Sequence, residues 1–526
     1  MLNSVDFSGR PFHFIGIGGI GMSALAYVLT KRKLPVSGSD LRLSHITRRL
    51  KENGAHIFWT QDAANLSFFT HGAAISPHPE VSESSQSERH PSHGSRAQRN
   101  GVSPHQGHQR SKTAVALLEK SQLPQVVCST AINPSNPEYR AAVELGCPIF
   151  HRSDILAALM AEYKGIAVAG THGKTTTSSM VGHLLVKTGV DPTIVIGGEV
   201  GEWQGNAYVG QSDYMVAEAD ESDGSLSKLS AYVGVITNIE LDHPDHYSTL
   251  DEIVDIFKAF SKQCQITVGC LDCPTIKSEL NPTITYSLTP HSGADYIAQD
   301  IRQSPQGMTA DIWERGTLLG QLHIPQLGLH NLSNALAAVA VGRLVDLEFD
   351  AIAEALATFG GARRRFDRRG FYNDILFIDD YAHHPSEIRV TLAAARLQST
   401  EILPSGVERR VIAIFQPHRY SRAATLLNEF ASAFGDADQV IVSDIYAASE
   451  TNHYGISGQQ VADAIAQHHH QVDYQPTLDD IQSKLADILR PGDIALFLTA
   501  GNLNCIIPDV MDDFKTRPGV EVLSNA

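Results

Sequence analysis

Three stretches of the chain alternate short apolar runs with amphipathic helical periods. The first opens on Phe12-His13-Phe14-Ile15, too short for a helix and mostly apolar, which predicts a buried strand. A glycine-rich turn follows. Met22, Leu25, Ala26 and Leu29 then recur at the i, i+3, i+4, i+7 spacing of one helix face. A second strand is predicted near residues 34–37, leading into Gly38-Ser39-Asp40. This strand–helix–strand start predicts a parallel sheet with right-handed crossovers.

The pattern breaks over residues 80–112. That stretch holds eight Ser and four His, with Val81, Ala97 and Val102 as its apolar residues, so it cannot bury enough surface to offset its ordering entropy. It reads as a disordered insertion. Strand character resumes at Gln125-Val126-Val127-Cys128.

A second stretch starts near Lys164. The strand Ile166-Ala167-Val168-Ala169 runs into Gly170-Thr171-His172-Gly173-Lys174-Thr175, and a helix with Met180, Val181, Leu184 and Leu185 inward follows, closed by Gly189. Further strands end at Glu218 and at Thr237-Asn238, and a helix rich in Ala and Leu follows Asn331. A third stretch, from about Arg363, has strands at residues 376–378, 411–414, 440–442 and 495–498. The expected fold is α/β in three domains, each with a mostly parallel sheet. In such sheets ligands sit at the carboxyl ends of the strands, where the polar motifs fall.

Composition narrows the function classes. Lys and Arg number 41 against 58 Asp and Glu, a net charge of −17, which argues against nucleic acid as a partner. No apolar run reaches the length of a membrane span, and residues 1–10 lack a secretory pattern, so a cytoplasmic protein is expected. Six Cys make no disulfide framework, and the lone Cys270/Cys273 pair is read as reduced thiols rather than a zinc site. The triplet His468-His469-His470 reads as an exposed helix end.

Residues 170–175 carry the strongest chemistry. Glycines let backbone N–H groups approach phosphate oxygens, and the following helix start adds partial positive charge. Lys174 is placed to bridge β- and γ-phosphates and Thr175 to put its hydroxyl on Mg²⁺. The loop is shorter than a strict P-loop, with Val168 where a glycine would stand. Glu218 suits a hard-oxygen ligand of the same ion, and His243 a second one, although a surface carboxylate and a capping His are the plain alternatives. At the start, Gly16-Ile17-Gly18-Gly19-Ile20-Gly21 fits the dinucleotide fingerprint with Asp40 beyond it. A nucleotide-sugar diphosphate would use the same amides, and an NAD site would not explain the downstream loop.

Taken in order, the motifs GIGGIGMS (16–23), GTHGKTTT (170–177), EADESD (218–223), TNIELDH (237–243), GLHNLSNA (328–335), Arg364-Arg365-Phe366, DDYAHHP (379–385) and FQPHRYSR (415–422) resemble the Mur ligase family over nearly the whole chain. The resemblance implies ATP- and Mg²⁺-dependent joining of L-alanine to the lactyl carboxylate of UDP-N-acetylmuramate in peptidoglycan precursor synthesis, by a monomer or weak homodimer. It implies a Rossmann-like UDP-substrate domain over 1–163, a central P-loop ATPase sheet over 164–361 and a Rossmann-like amino-acid domain over 362–526. It implies ATP contacts at Gly170, Thr171, His172, Gly173, Lys174, Thr175, Thr176, His330, Asn331, Asn334 and Asp380. Thr175, Glu218 and His243 are the implied metal ligands, and Gly18, Gly19, Gly21, Asp40 and Ser129 the UDP-substrate contacts. Lys174, His383, Arg419 and Arg422 are the implied catalytic set, the last three facing alanine and the reacting phosphoryl group. Arg419 and Arg422 stand three apart at a turn or helix start, a spacing that lets both point to one side. By type His384 equals His383, which the motif match favours, and for His418 packing and substrate roles stay open. Pro244 after His243, Thr499-Ala500-Gly501-Asn502 and the 80–112 insertion depart from the family pattern. Competing readings are a tripeptide-recycling or folylpolyglutamate-type sibling, an NAD-dependent oxidoreductase and a non-catalytic nucleotide-binding scaffold.

Overall fold

The computed structural model describes residues 4–71, 123–222, 224–244, 246–399 and 409–515. The insertion read at 80–112 lies outside the described residues. The fold is α/β, with three sheets in two compact units, Met1–Ile155 and Leu156–Ala526.

The first unit holds an all-parallel sheet of β1 (Phe12–Ile15), β2 (Val36–Ser39), β3 (His56–Phe58), β4 (Gln125–Cys128) and β5 (Ile149–His151), in the order β3-β2-β1-β4-β5. The order reverses between β1 and β4, the kind of crevice where open α/β sheets bind ligands. The predicted second strand is β2, shifted two residues toward its polar end. Ser37 and Ser39 belong to it because their hydroxyls are needed inside. His13, fully buried on β1, places Nδ1 2.7 Å from Ser37 Oγ and Nε2 2.8 Å from Glu138 Oε1. Glu138, in the first turn of the Pro137–Leu145 helix, also accepts Ser39 Oγ–H at 2.5 Å and Asn65 Nδ2–H at 2.8 Å. Buried polar groups persist only when paired in this way.

The second unit begins with a ten-stranded sheet: β6 (Lys164–Ala169), β7 (Thr193–Val200), β8 (Gly205–Tyr208), β9 (Tyr214–Glu218), β10 (Val233–Ile236), β11 (Ile266–Cys270), β12 (Ile284–Ser287), β13 (Tyr296–Ser304), β14 (Gly307–Glu314) and β15 (Thr317–Ile324). Its order is β15-β14-β13-β12-β11-β10-β6-β9-β7-β8, antiparallel at β14, β15 and β8 and parallel between. The Lys174–Lys187 and Leu329–Leu344 helices pack on one another, and Leu332, Leu336 and Val339 are fully buried. A six-stranded sheet follows: β16 (Asp367–Tyr372), β17 (Ile375–Asp380), β18 (Val411–Gln416), β19 (Gln439–Val442), β20 (Val472–Tyr474) and β21 (Ile494–Thr499), ordered β16-β17-β21-β18-β19-β20. Its central strands are buried on both faces, as a parallel sheet requires. Val411, Ala413 and Phe415 enter one core and Ile412 and Ile414 the other, the period-two alternation of a strand. The Pro385–Ser399 helix reaches back to the central sheet, where Gln398 Nε2 donates to the Pro305 carbonyl at 2.6 Å, in the β13–β14 turn.

Within the His triplet, His468 and His470 are exposed as expected, and His469 is the correction. His469 is buried and its Nε2 lies 3.0 Å from the Ala437 carbonyl, because the chain turns inward after the Gly458–Ala466 helix to start β20.

Replacing Glu138 by Ala would take one partner each from His13, Ser39 and Asn65. Denaturant titration is expected to show a loss of about 3–5 kcal/mol, and Glu138→Gln, which keeps part of the network, a smaller one.

Candidate active site

The turn after β6 is held by its neighbours. His172 N–H donates to Asn238 Oδ1 at 2.8 Å, Thr171 N–H to the Asn238 carbonyl at 3.0 Å, and Thr237 Oγ1–H to the His172 carbonyl at 2.6 Å. Gly170 (φ +138°) and Gly173 (φ +80°) sit in left-handed backbone, and a Cβ on Gly173 would lie 2.7 Å from Asn334 Oδ1. Only glycine fits both the angle and the space. Residues 174–187 then form a helix, whose first N–H groups lack helical partners.

Lys174 is half-buried at the head of that helix. Its Nζ donates to the carbonyls of Gly170 (2.6 Å) and Thr171 (3.1 Å) and to both Glu221 oxygens (2.9 Å). Burial opposes its charge, but Glu221, Asp220 and Glu218 outweigh this and keep the ammonium protonated. Thr175 Oγ1 accepts from Arg365 Nη2 at 3.3 Å. Glu218, at the end of β9, accepts the Gly197 N–H at 2.8 Å. Asp220, Glu221 and His243 bring ligand atoms within 4.8 Å of one another. Burial and the Asp220 charge push the Glu221 carboxyl up to about 7, although Lys174 pulls it down. Burial lowers His243, leaving its ring neutral near neutral pH. Two crowded carboxylates and the Thr175 hydroxyl are the hard oxygen donors that suit Mg²⁺ beside a phosphate loop, and the His243 imidazole adds a softer, neutral lone pair.

Beside the loop lies a cleft of about 210 Å³. His172, Gly173, Thr176, His330, Asn331, Asn334 and Asp380 all line it, whereas Gly170, Thr171, Lys174 and Thr175 do not. Asp380 is braced: Oδ2 accepts Phe366 N–H at 2.6 Å and Oδ1 accepts Ala382 N–H at 2.8 Å. Burial still raises its carboxyl to about 6.

The last sheet contributes the far wall. His172 Nδ1 lies 3.1 Å from Glu387 Oε1, and Ser386 Oγ–H donates to Glu240 Oε2 at 2.8 Å. Burial disfavours the His172 charge, yet Glu240 and Glu387 raise its pKa to about 10. Arg422, 2% exposed, sends Nε (2.9 Å) and Nη2 (2.8 Å) to one oxygen of Asp242. Arg419 instead lies 3.5 Å from Glu450, so the two arginines expected to share one side have different partners. His383 Nδ1 lies 2.9 Å from the Tyr381 carbonyl, and burial pushes its pKa down to about 4. His384 is buried, its Nδ1 accepting the Ser386 N–H at 3.3 Å. His418 stacks on Tyr446 with ring centroids 5.7 Å apart, and its Nδ1 lies 3.3 Å from Arg422 Nη1.

In the first unit, Gly18, Gly19, Gly21, Asp40 and Ser129 gather at the carboxyl ends of β1, β2 and β4. Gly16 and Ile17 donate to the Ser39 carbonyl at 2.8 and 2.9 Å, and Gly18 N–H to Asp40 Oδ2 at 2.8 Å. Asp40 therefore braces the turn.

The chain matches the Mur ligase middle domain over residues 168–342 and the Mur ligase glutamate ligase domain over 364–501. The Mur ligase family catalytic domain matches over 11–93 and 85–164. It is 58% identical to the UDP-N-acetylmuramate–L-alanine ligase of Nostoc punctiforme, covering 98% of each chain. With the enzyme of that name from Gloeothece citriformis the identity is 56%, over 97% of this chain and 99% of the relative. The chain belongs to the Mur ligase family. Among solved Mur ligases, the UDP-N-acetylmuramate–alanine ligase of Thermotoga maritima superposes with a TM-score of 0.74 at 25% identity, covering 96% of this chain and 99% of that one. A murein peptide ligase from Psychrobacter arcticus shares the fold, with a TM-score of 0.64 at 20% identity, over 97% of this chain and all of that one.

Sequence reasoning passed over several residues of this Mur ligase site. Asp220 and Glu221 stood inside a quoted motif without a role, as did Arg365, Glu240 and Asp242. Glu387 lies two residues beyond the last quoted motif of its segment. An acid in the first turn of a helix is ordinary N-terminal chemistry and gives no hint of a ligand.

The His172 ion pairs have a pH signature. The raised folded-state pKa makes their contribution complete below the ordinary 6.5 and lost as pH rises through about 10. The stability gap between wild type and His172→Gln, about 2 kcal/mol in denaturant melts near pH 6, is expected to shrink steadily toward pH 10. Separately, Gly173→Ala is expected to cost at least about 1–3 kcal/mol in the same assay.

Proposed function

We propose that this Mur ligase joins L-alanine to the lactyl carboxylate of UDP-N-acetylmuramate with cleavage of ATP to ADP and phosphate, in the cytoplasm, as a step of peptidoglycan precursor synthesis. The observation that carries this is the 58% identity, end to end, with a relative of that named activity, joined to a phosphate loop of fitting geometry. Residues 1–163 would take the UDP-sugar through Gly18, Gly19, Gly21, Asp40 and Ser129. Residues 164–361 would hold ATP, and 362–526 would present alanine.

Joining a carboxylate to an amine in water is uphill, so the carboxylate must first be activated. Its oxygen attacks the γ-phosphorus, the bond to ADP breaks, and an acyl phosphate forms. The alanine nitrogen then attacks the acyl carbon, the C–O bond to phosphate breaks, and the nitrogen loses a proton. Negative charge grows on phosphoryl oxygens in the first step and on the acyl oxygen in the second. Lys174, held on the loop's own carbonyls and Glu221, exchanges those partners for phosphate oxygens. Helix N–H groups from Lys174 onward add fixed donors. Thr175, Glu218, Asp220, Glu221 and His243 would hold Mg²⁺, which would supply charge neutralisation on those oxygens. His330, Asn331 and Asn334 border the base and Asp380 the ribose. Arg419 and Arg422 would meet the alanine carboxylate and the reacting phosphoryl group on leaving Glu450 and Asp242, and His383, neutral at working pH, accepts the amine proton.

Purified protein with ATP, Mg²⁺, UDP-N-acetylmuramate and single amino acids tests this by ADP release and product mass. The expected result is one ADP per UDP-N-acetylmuramoyl-alanine. Faster turnover with a tripeptide than with alanine would move the chain to the recycling branch. Lys174→Ala should lower turnover at least about 100-fold, and unchanged turnover would point to a scaffold.

A further inference from the structure

Glu387, on the first turn of the Pro385–Ser399 helix, receives donors from two lobes at once. One oxygen accepts the backbone N–H groups of His383 (3.0 Å) and His384 (3.2 Å) and lies 3.3 Å from His383 Nδ1. The other lies 3.1 Å from His172 Nδ1 in the phosphate loop. Burial works against its charge, but His383, His172 and Arg365 hold the carboxyl well below its ordinary range, so it is ionised. An ionised carboxylate only accepts hydrogen bonds.

This fixes the His383 tautomer. Its Nδ1 faces two acceptors, the Tyr381 carbonyl and Glu387, so Nδ1 carries the hydrogen. The lone pair of the neutral ring is then on Nε2, which has no hydrogen-bond partner among the described residues. The other charged and titratable groups around the ring include Asp242, Arg422, His418 and the Tyr381 phenol, whose ring meets it edge-on with centroids 5.3 Å apart. A carboxylate that orients an imidazole and selects its tautomer is the arrangement that makes an adjacent nitrogen a base.

We propose that Glu387 is a positioning residue for amine activation, fixing His383 with Nε2 as proton acceptor while its second oxygen ties that base to the phosphate loop. This rests on the ligase reading above and deepens it: the proton leaving the alanine nitrogen goes to His383 Nε2, and Glu387 stabilises the imidazolium that results without taking the proton.

Hydroxylamine tests it, because it attacks acyl phosphates as a neutral amine at neutral pH and needs no base, whereas alanine is mostly protonated. With ATP, Mg²⁺ and UDP-N-acetylmuramate, wild type is expected to give alanine product or hydroxamate according to the amine supplied. Glu387→Gln should slow alanine transfer about 100-fold and hydroxamate formation far less, with a Glu387→Asp variant between. Equal losses with both amines would reduce Glu387 to a structural role, and unchanged alanine transfer would remove it from the reaction. His383→Gln run in parallel separates the premises: if it transfers alanine at the wild-type rate, the base assignment fails whatever Glu387 does. Absence of any hydroxamate from wild type would instead overturn the acyl-phosphate reading itself.

Discussion

The first N–H groups of the Lys174–Lys187 helix cannot find carbonyls within their own helix, and the site is arranged around that deficit. A parallel strand delivers the turn, and the ends of β6 and β10 pin it through Thr171, His172, Thr237 and Asn238. Glycines at 170 and 173 allow the chain to pass where a side chain would strike Thr237 or Asn334. The result is a set of donors that is stiff before any phosphate arrives, so little ordering entropy is left to lose.

Charge is concentrated around this frame and is paired wherever it is buried. Lys174 meets Glu221, His172 sits between Glu240 and Glu387, and Arg422 meets Asp242. Such pairs add little net stability, since desolvation cancels much of the attraction, but removing one partner is costly. Two of the three join the central sheet to the last one. They therefore set the seating of one lobe on the other more than the stability of either.

Much of this was legible in the residues. The apolar runs became strands, the glycine–lysine turn fell between a strand and a helix, and seven of the residues assigned to ATP line one cleft. The buried His13–Glu138 pair was not legible, because 125 residues separate its members. The same holds for Arg422 and Asp242, 180 apart. Spacing along the chain predicted that Arg419 and Arg422 would act together, whereas the left-handed backbone at Arg419 (φ +70°) and the competing acids Glu450 and Asp242 separated them. His469 was misread since a histidine triplet looks hydrophilic, while its burial depends on the Ala437 carbonyl, which periodicity cannot report.

The Pro385–Ser399 helix is fastened to the central sheet near both of its ends, by Ser386 on Glu240 and by Gln398 on the Pro305 carbonyl. Twelve residues of helix put these fastenings about 18 Å apart. A stiff rod held at two points keeps one easy freedom, a swivel about the line between them. Any rocking of the last sheet that preserves both fastenings must follow that single axle and must also carry or release the His172–Glu387 and Arg422–Asp242 pairs.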